Sequence, residues 1–148
     1  MIKILYNKQN SIVGRAGSIT MLLTKSELEV MNVIWKAGRA VSRNDILVLS
    51  GKKTWKDSSV HILLNGLLKK EAIKEDGFVR CGKTFGRLFS ANISRETYYA
   101  EEVFSAGDKK SVPALMSALI SRDDIDIELV NELEAILEEK KKEIMYQK

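Results

Sequence analysis

The sequence predicts a mainly α chain with one small β-hairpin. Three observations carry that expectation. Apolar residues recur at three- and four-residue spacing along most of the chain, as on the buried stripe of amphipathic helices. A single proline in 148 residues leaves little to interrupt those helices. Only residues 73–91 change to strand-like character, about a central turn. The order is two short helices, a longer helix, a hairpin and then further helices, which is a winged helix-turn-helix plan followed by a helical region.

Composition narrows the function classes. Hydrophobic residues make up 45% and charged residues 30%, the balance of a folded domain and not of a disordered chain. No apolar run approaches the roughly 20 residues that span a bilayer. Met1–Tyr6 is too short for a signal-peptide core and has no small-residue cleavage site after it, so a cytoplasmic location is expected. The lone Cys81 excludes an internal disulfide and a cysteine metal cluster, and the lone His61 excludes a multi-histidine zinc site. No metal, cofactor or small-molecule substrate is expected. Nor is an enzyme, because no nucleophile–base–acid arrangement is visible. The glycines at 77, 82 and 86 match no nucleotide-binding motif, and no helix follows their turn.

Charge divides the chain. Residues 1–100 carry 17 Lys and Arg against 8 Asp and Glu, whereas residues 101–148 carry 7 against 12. The first part suits a polyanion and the second would be repelled by one.

Residues 1–22 read as an N-terminal extension. They form either a flexible arm or a stretch upstream of a start at Met21. Thr24-Lys25-Ser26-Glu27 is a capping box that opens a helix over 25–37, with Leu28, Met31, Ile34 and Trp35 as its apolar stripe and Gly38 as its stop. Arg39-Ala40-Val41 is a short strand. Ser42 caps a second helix with Asp45 in its first turn. Ile46, Leu47 and Leu49 form its buried face, and Gly51 ends it.

The third helix, about 57–71, is capped by Asp57 or Ser58 and buries Val60, Leu63, Leu64, Leu67 and Leu68. Its other face carries Lys56, Ser58, Ser59, His61, Ile62 and Asn65, small enough to enter a DNA major groove. Arg43 and Lys53 stand before it as further cations. Strands at 72–80 and 85–91 joined by Cys81-Gly82-Lys83-Thr84 make a wing whose Arg80, Lys83 and Arg87 can reach phosphates.

Beyond Ser94, helices start at Ser94, Ser111 and near Asp124 or Asp126. Their apolar residues include Tyr99, Val103, Phe104, Leu115, Leu119, Val130, Leu133 and Leu137. Roughly 50 residues make a poor core alone, so a second copy is expected to cover these stripes; folding back on the winged domain is the alternative. The expected organisation is an extension at 1–22, a winged-helix DNA-binding domain at 23–93 and a helical dimerisation region at 94–148.

The segment Thr24–Trp35, the Trp55…Leu63-Leu64-Asn65…Leu67-Leu68-Lys69-Lys70 pattern and the Phe85…Phe89-Ser90 strand resemble the penicillinase repressor family. The likeness runs from about Leu23 into the last helix. It implies a dimeric winged-helix repressor that binds an inverted-repeat DNA operator. It also implies that Lys56, Ser58, Ser59, His61 and Ile62 lie where relatives approach bases and phosphates. Ser59 replaces a common threonine, Gly66 replaces a frequent arginine, and the wing is a few residues longer. One branch of the family is released by cleavage at an Asn-Phe bond and another carries a C-terminal cysteine cluster; this sequence has neither. The expected inducing signal is therefore a different one, with a membrane-bound sensor protease acting at another bond as one candidate partner. A winged-helix protein-interaction module without DNA binding is the alternative function.

Overall fold

The computed structural model describes residues 22–106 and 109–147. The expected extension at 1–22 lies, but for Leu22, outside them. The chain forms two compact units, one ending at Ser105 and one beginning at Ala106.

In the first unit the order is α1 (Lys25–Ala37), β1 (Val41–Ser42), α2 (Arg43–Leu49), a 3-10 turn (Asp57–Ser59), α3 (Val60–Lys69), β2 (Ile73–Cys81), β3 (Thr84–Ala91) and α4 (Arg95–Ala106). The predicted caps of α1 and α2 form. The Thr24 hydroxyl accepts from Glu27 N–H while Glu27 reaches back to Thr24 N–H, and Ser42 and Asp45 repeat the exchange at α2. Gly38 ends α1 at φ 64°, the left-handed position that glycine adopts without a Cβ penalty.

The core is one cluster under these elements. Val30, Met31 and Ile34 of α1 meet Ile46 of α2, Val60, Leu64 and Leu67 of α3, Ile73 and Phe89 of the sheet, and Ile93 and Tyr98. The sheet has strand order β1-β3-β2 and is antiparallel throughout. Val41 pairs with Phe89, so the two-residue β1 fastens the wing to the helices. The hairpin turn is Gly82-Lys83 alone, with Gly82 at φ 63° as a two-residue connection requires. A bulge between Glu75 and Phe78, with Gly77 at φ 96°, interrupts β2.

Four expectations are corrected. Residues 57–71 are not one capped helix: a 3-10 turn precedes α3, and neither Asp57 nor Ser58 supplies a side-chain cap, because the Asp57 carboxylate is paired with Lys53. The second helix ends at Leu49 with Ser50, not Gly51, as its C-cap, and Leu49 is half exposed, since a seven-residue helix turns only Ile46 fully inward. Leu63 and Leu68 are only partly buried, flanking the Leu64–Leu67 ridge. Cys81 and Thr84 belong to the strands and not to the turn.

At the end of α3, Ala72 N–H donates to Leu67 O and Glu71 N–H to Leu68 O, closing a Schellman motif with Glu71 at φ 58°. α4 docks on α1 through aromatic rings. Trp35 lies 5.8 Å from Tyr98 and 6.4 Å from Tyr99, and Trp35 Nε1 donates to Ile93 O at 2.8 Å. Burial, with Glu102 accepting its hydroxyl, pushes the Tyr98 phenol up to about 12.

The second unit contains α5 (Ser111–Ile120) and α6 (Ile127–Tyr146), the latter capped by Asp126. Neither helix buries a residue. Among the described residues no helix is long and apolar enough to cross a membrane.

Because a side chain at left-handed φ is strained and glycine is not, Glu71→Gly should raise stability by about 0.5–1 kcal/mol. Chemical denaturation of both proteins would measure it; an unchanged or lower midpoint would count against the strain.

Candidate nucleic-acid interface

The third helix has two unlike sides. Val60, Leu64 and Leu67 face the core, and Lys56, Ser58, His61, Ile62 and Asn65 face outward. Ile62 is 73% exposed amid these polar groups, an apolar side chain that the fold does not use. Ser59 is partly buried at the junction of the 3-10 turn and α3. The side chains of Lys56, His61 and Asn65 make no hydrogen bond or ion pair to the described residues.

A clamp holds this helix on α1. Lys70 Nζ lies 2.6 Å from Glu27 Oε1 and donates to Leu22 O at 3.0 Å. Glu27 is 5% exposed, and burial alone would raise its pKa. The hydrogen bonds from Lys70 and Thr24 outweigh that and hold the carboxyl below its ordinary 4.5. Glu27 Oε2 packs over Gly66, where a Cβ would stand 3.1 Å from it. This position therefore faces α1, and an arginine here would emerge beside the Glu27 carboxylate. Helix propensity alone gives no reason for a glycine inside α3; the close approach of Glu27 does.

A cleft of about 330 Å³ joins the elements that the sequence singled out. Arg43 of α2, His61 and Leu64 of α3, and Cys81 with Thr84–Arg87 of the wing line it. Arg43 is partly buried there, and its Nε has no hydrogen-bond partner among the described residues.

The predicted cations are not equivalent. Lys53 pairs with Asp57 and lies over the Trp55 ring, 4.8 Å from its centroid. Arg87 pairs with Glu75 at 2.6 Å and lies over Phe89, toward the base of the wing. Arg80 is exposed and donates from Nε to Gly82 O; Lys83 is exposed in the turn. The i,i+4 spacing of Lys53 and Asp57 was the signal that could have shown Lys53 engaged. Thr54, which the sequence did not single out, anchors the turn before α3 by donating from N–H and hydroxyl to Glu29.

The other predicted set lies apart from this surface in character. Tyr99 packs by Trp35 and Tyr98; Val103 is partly buried and Phe104 exposed. In the second unit Val130 and Leu133 are partly buried, and Leu115, Leu119 and Leu137 are exposed.

The model of the penicillinase repressor family matches residues 23–139, which take in α1 to α5, the hairpin and the larger part of α6. The chain belongs to the penicillinase repressor family. It is 29% identical over 122 residues to the penicillinase repressor of Bacillus licheniformis, covering 80% of this chain and 91% of that protein. A shorter match, 39% identical over 54 residues, joins it to an uncharacterised 16.5 kDa protein of Latilactobacillus sakei, and spans 36% of this chain and 37% of that one. Penicillinase repressor family membership makes the chain a DNA-binding transcriptional repressor.

The Glu27 clamp carries a pH dependence of definite sign. The folded state holds Glu27 below 4.5, so it binds that proton less tightly than the unfolded chain. The stabilisation is present above about pH 4.5 and is lost as pH falls through the folded value. Lys70→Met should cost about 1–3 kcal/mol at neutral pH and flatten the acid limb of the stability profile. Parallel acid limbs for the two proteins would refute the clamp.

Proposed function

We propose that two copies of this chain bind an inverted-repeat operator and block transcription by covering the promoter. α3 and the turn that leads into it read bases in the major groove, with Lys56, Ser58 and Ser59 of the turn and His61, Ile62 and Asn65 of the helix as the contact side. Arg43, Lys53, Arg80, Lys83 and Arg87 form the cationic surround; of these and Lys56, only Lys53 and Arg87 make an ion pair with the described residues. The observation that carries this reading is the cleft in which His61 of the third helix meets Arg43 and the wing. The basic balance of residues 1–100 argues against a protein-interaction module without DNA binding.

The winged-helix domain at 23–93 does the reading and the helices of 94–148 join the copies. In support, α5 and α6 bury no residue although Leu115, Leu119, Ile127, Leu137 and Ile144 are exposed along them. Such apolar stripes need a covering surface, and a second copy supplies one of matching length. Release by a membrane-bound sensor protease would require a bond other than Asn-Phe.

Fluorescence anisotropy with DNA upstream of the chain's own gene and with a scrambled duplex, at two salt concentrations, tests the reading. Affinity should fall steeply with salt and two chains should occupy each site. Asn65→Ala should cost about 1–3 kcal/mol on the preferred duplex only, whereas Lys83→Ala should weaken both and lower the salt slope by about one unit. Equal effects of the two changes would remove the division between reading and anchoring. Leu133→Asp should lower stoichiometry and shift the protein to a monomer in sedimentation; an intact dimer would move the interface elsewhere.

A further inference from the structure

The wing exposes two large aromatic side chains that folding does not use. Phe78 is 68% exposed and Phe85 is 71% exposed. The strand register places them together. Phe78 pairs with Arg87 and Arg80 with Phe85, and cross-strand partners share a face, so Phe78, Arg80, Phe85 and Arg87 alternate on one side of the hairpin. The bulge makes this so. Without the shift between Glu75 and Phe78, Gly77 would oppose Arg87 and Val79 would oppose Phe85, and both Phe78 and Arg80 would turn to the other face.

We propose that this face is an apolar wedge, Phe85 leading and Phe78 behind it, that enters the minor groove and partly unstacks a base step of the bound duplex. The proposal rests on the DNA-binding reading and deepens it. Two observations choose DNA as the occupant, and a general property of grooves agrees with them. The aromatic pair is interleaved with arginines, with Lys83 at the tip, a pattern complementary to phosphate. Phe85 lines the same cleft as His61, so the wedge is continuous with the recognition side of α3. A narrow groove attracts arginine, and an inserted phenylalanine bends the duplex so that more protein surface meets it.

The test uses the full chain and a duplex of the DNA upstream of its own gene. Dyes at the two ends report bending, and 2-aminopurine placed along the site reports unstacking. Wild-type protein should bring the ends together and raise 2-aminopurine fluorescence at one step. Phe85→Ala should lose both signals and bind about tenfold more weakly, while the salt slope stays unchanged because no cation is removed. Phe85→Leu, which keeps an apolar wedge, should retain most of the bend. Thermal unfolding of Phe85→Ala should match wild type, since the side chain is mostly exposed.

Binding by wild type without bending or unstacking would overturn the wedge and leave the DNA reading standing. So would a Phe78→Ala/Phe85→Ala protein that bends the duplex normally. A shift of that double variant to monomers in sedimentation would assign the patch to a protein contact instead. Failure of wild type to bind any duplex at low salt would overturn the DNA reading itself, and the wedge with it.

Discussion

A carboxylate inside a small core stays ionised only where its partners outweigh the cost of desolvation; otherwise it takes up a proton. Glu27 stays ionised. Its first oxygen takes the Lys70 ammonium and the Thr24 N–H, and its second lies over a residue with no side chain. The same residue thus closes the α1 cap, receives the C-terminal end of α3 and packs closely over the glycine in the middle of that helix. The pose of α3, and with it everything that α3 can offer to a groove, follows from where this buried charge sits.

The fold spends its other polar groups in the same economical way. Asp45 caps α2 and is held below its usual range, first by the Ser42 N–H it accepts. Asn92 donates to Glu71 O and Ile73 O at the foot of the hairpin. Glu29 holds the turn at Thr54. What remains without a side-chain partner among the described residues at the outer side of α3 and the wing tip includes Lys56, Ser58, His61, Asn65 and Lys83. A surface that spends no binding groups internally meets a polyanion without first breaking contacts of its own.

Local signals made much of this legible in the sequence. Thr24 and Glu27, Ser42 and Asp45, and Gly38 fixed helix starts and stops because caps act over three or four residues. The family resemblance was equally local in origin, resting on the first helix, the third helix and the last wing strand. The readings that failed were those that depended on neighbours far along the chain. Asp57 looked like a cap until Lys53 took its carboxylate. Leu49 looked buried by spacing, but a helix of two turns has room for only one fully inward residue. Gly66 stood out only as a replaced arginine, whereas what it packs against lies on α1, 39 positions earlier. The bulge at Gly77 was hidden because register is a property of two strands together.

That bulge has a further meaning. It absorbs one surplus residue on β2, and beyond it Phe78 through Cys81 are again in step with Thr84 through Arg87. Loss of either Asp76 or Gly77 would regularise the strand and leave the outer pairs as they are. In evolutionary terms β2 can lose or regain one codon at this point while the outer half of the wing keeps the same chemistry. Such a joint lets a lineage adjust the twist at the base of the hairpin separately from what its tip carries.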